Sequence, residues 1–239
     1  MRPFFPALIL SIILFSCNEE HVLVFSDKSE TYNDNANIEI NFPYAEGKSA
    51  RAKTINYIIE NHIANMLTFS KEPEDSLDLS QAVTEFDNEY KRFKEDIAES
   101  ALVWEAIFDA EVIYQSQEVI TLAINGYLNT GGAHGNMNIT LYNFDESGKV
   151  LEVDDIIKDH DAFTNFVKPY FETAIREKDN DEQISDYFFG DPFHLPANIG
   201  INEDGVLMLY NVYEIGSYAQ GLTEFTIPFE DVEKFLRFH

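Results

Sequence analysis

The chain is short of cysteine, of positive charge and of any long apolar run, and each shortage removes a class of protein. Cys17 is the only thiol in 239 residues, so an internal disulfide framework is excluded and stability must come from the core. Lysine and arginine number 16 against 43 aspartates and glutamates, a net charge of −27. A field of that sign repels nucleic acid and anionic lipid surfaces and speeds encounter with cationic partners. The longest apolar run, Ala7 to Phe15 broken by Ser11, falls short of the roughly 20 residues that a membrane-spanning helix needs. The six histidines show neither His-x-His nor His-Glu-x-x-His spacing. Gly-x-Ser-x-Gly, Gly-x-Gly-x-x-Gly and the phosphate-loop spacing are missing too, so nucleophilic catalysis and nucleotide binding lack support. Asp179-Asn180-Asp181-Glu182 opens like a calcium loop, but Ile184 stands where glycine is needed and Gly190 where the bidentate glutamate belongs. The expectation is no metal, no cofactor and no catalytic motif. A dispersed pair among the many carboxylates stays open as an enzymatic alternative.

What the chain does have is material for a core: hydrophobic residues make up 45% and aromatics 14%, with 20 phenylalanines and 12 tyrosines. At the N-terminus Arg2 and the short apolar run fit a secretory signal, and Leu14-Phe15-Ser16-Cys17 resembles the bacterial lipobox. That resemblance implies a signal peptide over residues 1–16, lipid on Cys17 and attachment to a membrane through that lipid. The alternatives are an ordinary signal with a chance cysteine, or an uncleaved anchor. Asn18-Glu19-Glu20 resembles acidic sorting signals of surface lipoproteins, so outer membrane or cell surface is expected rather than inner membrane.

Residues 17–36 are polar apart from Val22 to Phe25 and read as a tether. Asn37 to Phe42 alternates like a strand, with Pro43 expected to end it. Ser49 to Phe69 carries Ile55, Ile58, Ile59, Ile63, Met66 and Leu67 on one helical stripe. A second helix from near Ser80 carries Val83, Phe86, Tyr90, Phe93 and Ile97. The period then changes to two: Val103 to Ser116 and Glu118 to Tyr127 predict a hairpin, and Met137 to Phe144 a further strand. Val153 to Ile157 and Asp161 to Arg176 look helical, with Pro169 predicting a kink or a split. Strands at 198–201, 206–210 and 224–227 and a helix at 230–236 complete the pattern. Helices and strands in clumps predict an α+β fold: two small mixed domains with antiparallel sheets, packed into one unit. The domains are placed at 37–115 and 116–239.

Three segments resemble a fused pair of bacterial domains. Ile38-Glu39-Ile40-Asn41-Phe42-Pro43, then Gly47 and Ile55-Asn56, is similar to the small domain in front of some polysaccharide deacetylases. Thr130-Gly131-Gly132-Ala133-His134-Gly135, then Asn143-Phe144-Asp145 and Gly148-Lys149, resembles the start of its partner domain. Tyr213-Glu214-Ile215, Tyr218-Ala219-Gln220-Gly221 and Ile227-Pro228 resemble that domain's end. The same pair forms the extracellular part of lysozyme-sensing anti-sigma factors. The sigma-binding segment of those proteins and the metal-binding catalytic domain of the deacetylases have no counterpart in this sequence. The resemblance therefore implies a sensing or binding part tied to a lipid.

The candidate ligand-binding residues are Gly131, Gly132, His134 and Gly135, with Tyr213, Glu214 and Tyr218 from the aromatic C-terminal segment. Exposed loop amides and an imidazole suit an anionic or carbonyl-bearing ligand, and tyrosine offers rigid contact area with a polar tip. The structural alternative is that the glycines, Gly132 above all, supply positive φ, His134 makes one internal hydrogen bond, and the tyrosines pack on a sheet. The expected function is non-catalytic binding of an extracytoplasmic ligand, either a cationic protein such as a lysozyme or cell-wall glycan.

Overall fold

The computed structural model describes residues 22–69, 73–74, 76–97, 102–178 and 181–238. Cys17 and the expected signal segment lie outside these residues. A five-stranded sheet forms first, in the order β1 (Phe25–Tyr32), β2 (Asn37–Ala45), β3 (Glu105–Gln115), β4 (Ile120–Asn129) and β5 (Asn136–Phe144). All neighbours are antiparallel except β2 and β3, which pair in parallel. Parallel pairing needs a long crossover. Here it contains α1 (Ala50–Leu67) and α2 (Leu79–Asp96). Ser49 caps α1 by accepting from the Ala52 amide at 3.1 Å, and Asp78 caps α2 by accepting from Gln81 at 2.9 Å. Ile55, Ile59, Ile63 and Leu67 of α1 and Val83, Phe86 and Tyr90 of α2 are buried against Ile38, Ile40, Phe108, Leu122 and Ile124 of the sheet. Each such side chain contributes roughly 1.5–3 kcal/mol on burial.

The second unit is smaller: a sheet in the order β6 (Asn198–Ile201), β7 (Gly205–Tyr210) and β8 (Thr223–Pro228), all antiparallel. It joins α3 (Val153–Ile156), α4 (His160–Lys178) and α5 (Phe229–Val232). Phe163 and Val167 of α4 share a core with Ile199, Ile201, Val206, Met208 and Ile227. The two sheets meet along a seam of side-chain amides. Asn211 accepts from the Ile139 amide and donates to its carbonyl, and Asn198 accepts from Leu141. Asn143 donates to Ile199 and accepts from the Thr121 hydroxyl. Half-buried backbone groups on the outer edge of β5 thus find partners without a continuous ladder.

The architecture is the expected mixed α/β fold with antiparallel-rich sheets, and five local expectations are corrected. The tether contains β1, which is polar because it is an edge strand and only Phe25 and Tyr32 need pack on the core. Strand β2 runs through Pro43 to Ala45. The amides of Asn37 and Ala45 point away from β1, and Pro43 shares their parity, beyond the last β3 pairing at Asn41. Its missing donor therefore falls on an open edge. Ile97, the helix cap, is 50% exposed, so the α2 stripe ends at Phe93. Helix α4 is continuous through Pro169. The division at 115/116 cuts a ten-pair β3–β4 hairpin whose strands feed one core, so the first sheet extends to Phe144.

Candidate functional site

The glycine-rich segment and the C-terminal tyrosines, far apart in sequence, come together at the surface. The loop between β4 and β5 presents His134, and the segment after β7 presents Tyr213 and Tyr218. The His134 and Tyr218 rings stack with centroids 3.9 Å apart at 21°. Tyr213 lies 5.7 Å from Tyr218 and 6.5 Å from His134. Tyr213 and Tyr218 are 53% and 42% exposed, and His134 is also exposed. His134 Nδ1 lies 2.8 Å from the Gly135 carbonyl, a contact that requires a proton on Nδ1. Nε2 is then the acceptor for the Tyr213 hydroxyl at 3.3 Å. The result is a platform in which His134 stacks on Tyr218 and Tyr213 lies tilted beside them, with the imidazole held to the chain through Nδ1.

The glycines have separate tasks. Gly131, not Gly132, holds the positive φ of the loop, at +91°. Gly132 needs no special backbone, because a Cβ there would meet only the His134 carbonyl at 3.6 Å. Gly135 is buried, and a Cβ would fall 2.3 Å from the Tyr127 ring, so the loop closes tightly on β4. Glu214 is turned into the fold: its oxygens accept from the Ala197 and Asn211 amides, both at 2.8 Å. It braces the turn that carries Tyr213.

Sequence reasoning missed the residues that hold Tyr218. Lys178, at the end of α4, donates to the carbonyls of Gln220 at 2.7 Å and Leu222 at 2.8 Å. Burial draws its pKa below the ordinary lysine value, while Glu182 pulls the other way. Gln220 accepts from Ser217 and donates to Asp186. The aromatic core of Phe171, Ile175, Tyr187, Phe188, Tyr210 and Ile215 lies in the same part of the fold. Burial also raises the phenol pKa of Tyr210, whose hydroxyl donates to the His194 carbonyl. None of these residues carries a motif, and only their neighbourhood to the tyrosines marks them.

A concavity of about 310 Å³ opens where the face of β3–β5 meets the second sheet, with Asp109, Glu111 and Glu224 in its lining. Among the described residues no group of three or more His, Cys, Asp or Glu side chains is placed to hold a metal ion. No described helix is long and apolar enough to cross a membrane.

Two family models match this architecture. The model described as deacetylase PdaC matches residues 29–137, and that described as a protein of unknown function, DUF3298, matches residues 154–230. The chain thus has a PdaC-like N-terminal domain followed by a DUF3298-like domain. The glycine-rich segment falls inside the first match instead of opening the second domain, so the ring platform takes His134 from one domain and both tyrosines from the other. A crystal structure of a DUF3298 family member from Bacteroides fragilis superposes with a TM-score of 0.66 at 20% identity, covering 90% of this chain and 93% of that one. A DUF3298 family protein from Pseudomonas aeruginosa gives 0.58 at 19% identity with the same coverage. Comparison with curated proteins gives no match.

Proposed function

We propose that this chain is a non-catalytic binding lipoprotein of the cell envelope, tethered through lipid on Cys17, whose ligand is a cationic protein such as a lysozyme. The observation that carries the proposal is the exposed stack of His134, Tyr213 and Tyr218 across the junction of the two domains. Rigid aromatic faces in water attract guanidinium and ammonium groups, at roughly 0.5–1 kcal/mol per exposed contact. The acidic excess of the chain favours the same partner and speeds its arrival. The resemblance to the extracellular part of lysozyme-sensing anti-sigma factors supports a lysozyme in particular. A glycan of the cell wall is the second reading, favoured by the outer face of the His134–Tyr218 stack, on which the flat face of a sugar can lie.

The test is titration of the soluble domain with a cationic lysozyme and with purified wall glycan, using wild type and the double variant Tyr213→Ala/Tyr218→Ala. Binding to lysozyme that weakens with salt and is lost in the variant supports the first reading. Salt-insensitive binding to glycan alone, lost in the same variant, would replace it by the second. Equal binding to an unrelated basic protein of similar charge would reduce the interaction to general attraction.

A further inference from the structure

Three bulky residues among the described ones adopt positive φ: Phe188 at +63° and Phe189 at +53° in one turn, and Tyr213 of the ring platform at +67°. The left-handed region is a poor place for an L-residue with a large side chain, and glycine is the ordinary occupant. Phe188 has a packing reason to be there: it is buried in the core with Phe171, Tyr210 and Ile215, and its amide donates to the Ile215 carbonyl at 2.6 Å. Phe189 has none. It is 70% exposed, and its side chain makes no ring contact among the described residues. The same short turn continues into Gly190 at +93°, so a second glycine would have suited position 189 on stability alone.

Two links place this turn next to the platform. Phe188 bonds to Ile215, two residues beyond Tyr213, and the Asp186 carbonyl accepts from Gln220, two residues beyond Tyr218. Phe189 is therefore a projecting aromatic on a backbone held by a buried neighbour, in a turn bonded to the segment that carries Tyr213 and Tyr218. Strained backbone retained at a surface points to use of the side chain it displays. We infer that Phe189 is an anchor residue of the same recognition surface, and that the partner is a folded basic protein with an apolar pocket to receive the ring. A flat sugar face is served by the stacked platform alone, whereas a single projecting ring buries its area only in a concave apolar receptor. This inference rests on the proposed binding of a cationic protein and adds the partner's apolar pocket.

The experiment compares wild type with Phe189→Gly, Phe189→Tyr and Tyr218→Ala, measuring thermal midpoint and affinity for a cationic lysozyme. Phe189→Gly is expected to leave the midpoint unchanged or raised, since positive φ is free for glycine, yet to weaken binding at least about tenfold, the scale of an interface anchor. Phe189→Tyr is expected to restore most of the affinity. If Phe189→Gly binds like wild type while Tyr218→Ala does not, the anchor is refuted and the platform stands. If Phe189→Gly lowers the midpoint, the residue is structural and the inference fails. If wild type shows no binding to lysozyme, the cationic-protein reading fails and takes this inference with it.

Discussion

The two sheets differ in what lies on their faces. The five-stranded sheet buries one face under α1 and α2 and leaves the other partly in water, where Ile107 is 40% exposed and Asp109 and Glu111 are exposed. The three-stranded sheet is buried on both faces at its centre: every residue of β6 and of β7 is buried. The backbone divides the same way. No non-glycine residue of the described first sheet and its helices has positive φ, while Phe188, Phe189 and Tyr213 surround the second. A one-sided sheet with ordinary dihedrals carries stability, and a small sheet clamped between layers serves as a base from which unusual turns project. Strain can persist only where its surroundings over-determine it, and the interlocked second sheet supplies those surroundings.

The largest effect expected from this division is in the first sheet. Phe86 and Ile59 are buried among aromatic and aliphatic neighbours, so a carboxylate at either position has no partner. Phe86→Asp or Ile59→Asp is expected to cost about 4 kcal/mol or more and to abolish a cooperative melt near the wild-type midpoint. A wild-type melt in either variant would show that the helix faces are assigned wrongly and remove the first sheet as the stable half.

That helical stripe was readable because period 3.6 with four isoleucines has few other uses. β1 was not, because Ser26, Lys28, Ser29 and Thr31 alternate with nothing that needs burial. The seam of Asn143, Asn198 and Asn211 was equally silent: an asparagine gives no sign in sequence of whether it faces water or a strand edge. At the candidate site the glycine-rich segment and the tyrosines each stood out, but their meeting could not be read from residues so far apart. Position mattered too, since positive φ belongs to Gly131 and Gly132 was the expected one. The left-handed Phe188–Phe189 turn was invisible, for phenylalanine normally signals the opposite preference.

A middle-sized effect lies between α1 and β5. His62 Nδ1 is 3.0 Å from the Tyr142 hydroxyl, while Nε2 is buried without a partner. Burial lowers the His62 pKa to about 4, against an unfolded value of about 6.5. The native state holds the neutral imidazole and the unfolded state takes up the proton first as pH falls. Stability from this group is therefore complete above about pH 6.5 and is lost down to about pH 4, in total about 3 kcal/mol. His62→Gln is expected to flatten that limb in urea melts across the interval. An unchanged slope would assign the loss to the carboxylates instead and remove the first sheet's buried titration.

The smallest effect is the sharpest test of the contrast between the halves. Tyr213 at φ +67° stores roughly 1–2 kcal/mol of backbone strain if it behaves as other L-residues in that region. Glycine there removes the strain but gives up about 0.4–1 kcal/mol through the freer unfolded chain, together with the ring contact to Tyr218 and the hydroxyl bond to His134. Because the side chain is half exposed, those contacts are weak, and Tyr213→Gly is expected to shift stability by no more than about 1 kcal/mol in either direction. Tyr114→Gly is the matched control: its residue lies in β3 with no positive φ and packs on Phe229. Loss of the ring and of strand propensity should cost it about 1–3 kcal/mol. Equal losses at both positions would mean that Tyr213 stores nothing, and the second sheet would then be a base for ordinary turns. A near-neutral Tyr213→Gly beside a costly Tyr114→Gly would locate the strain in the half that displays the rings.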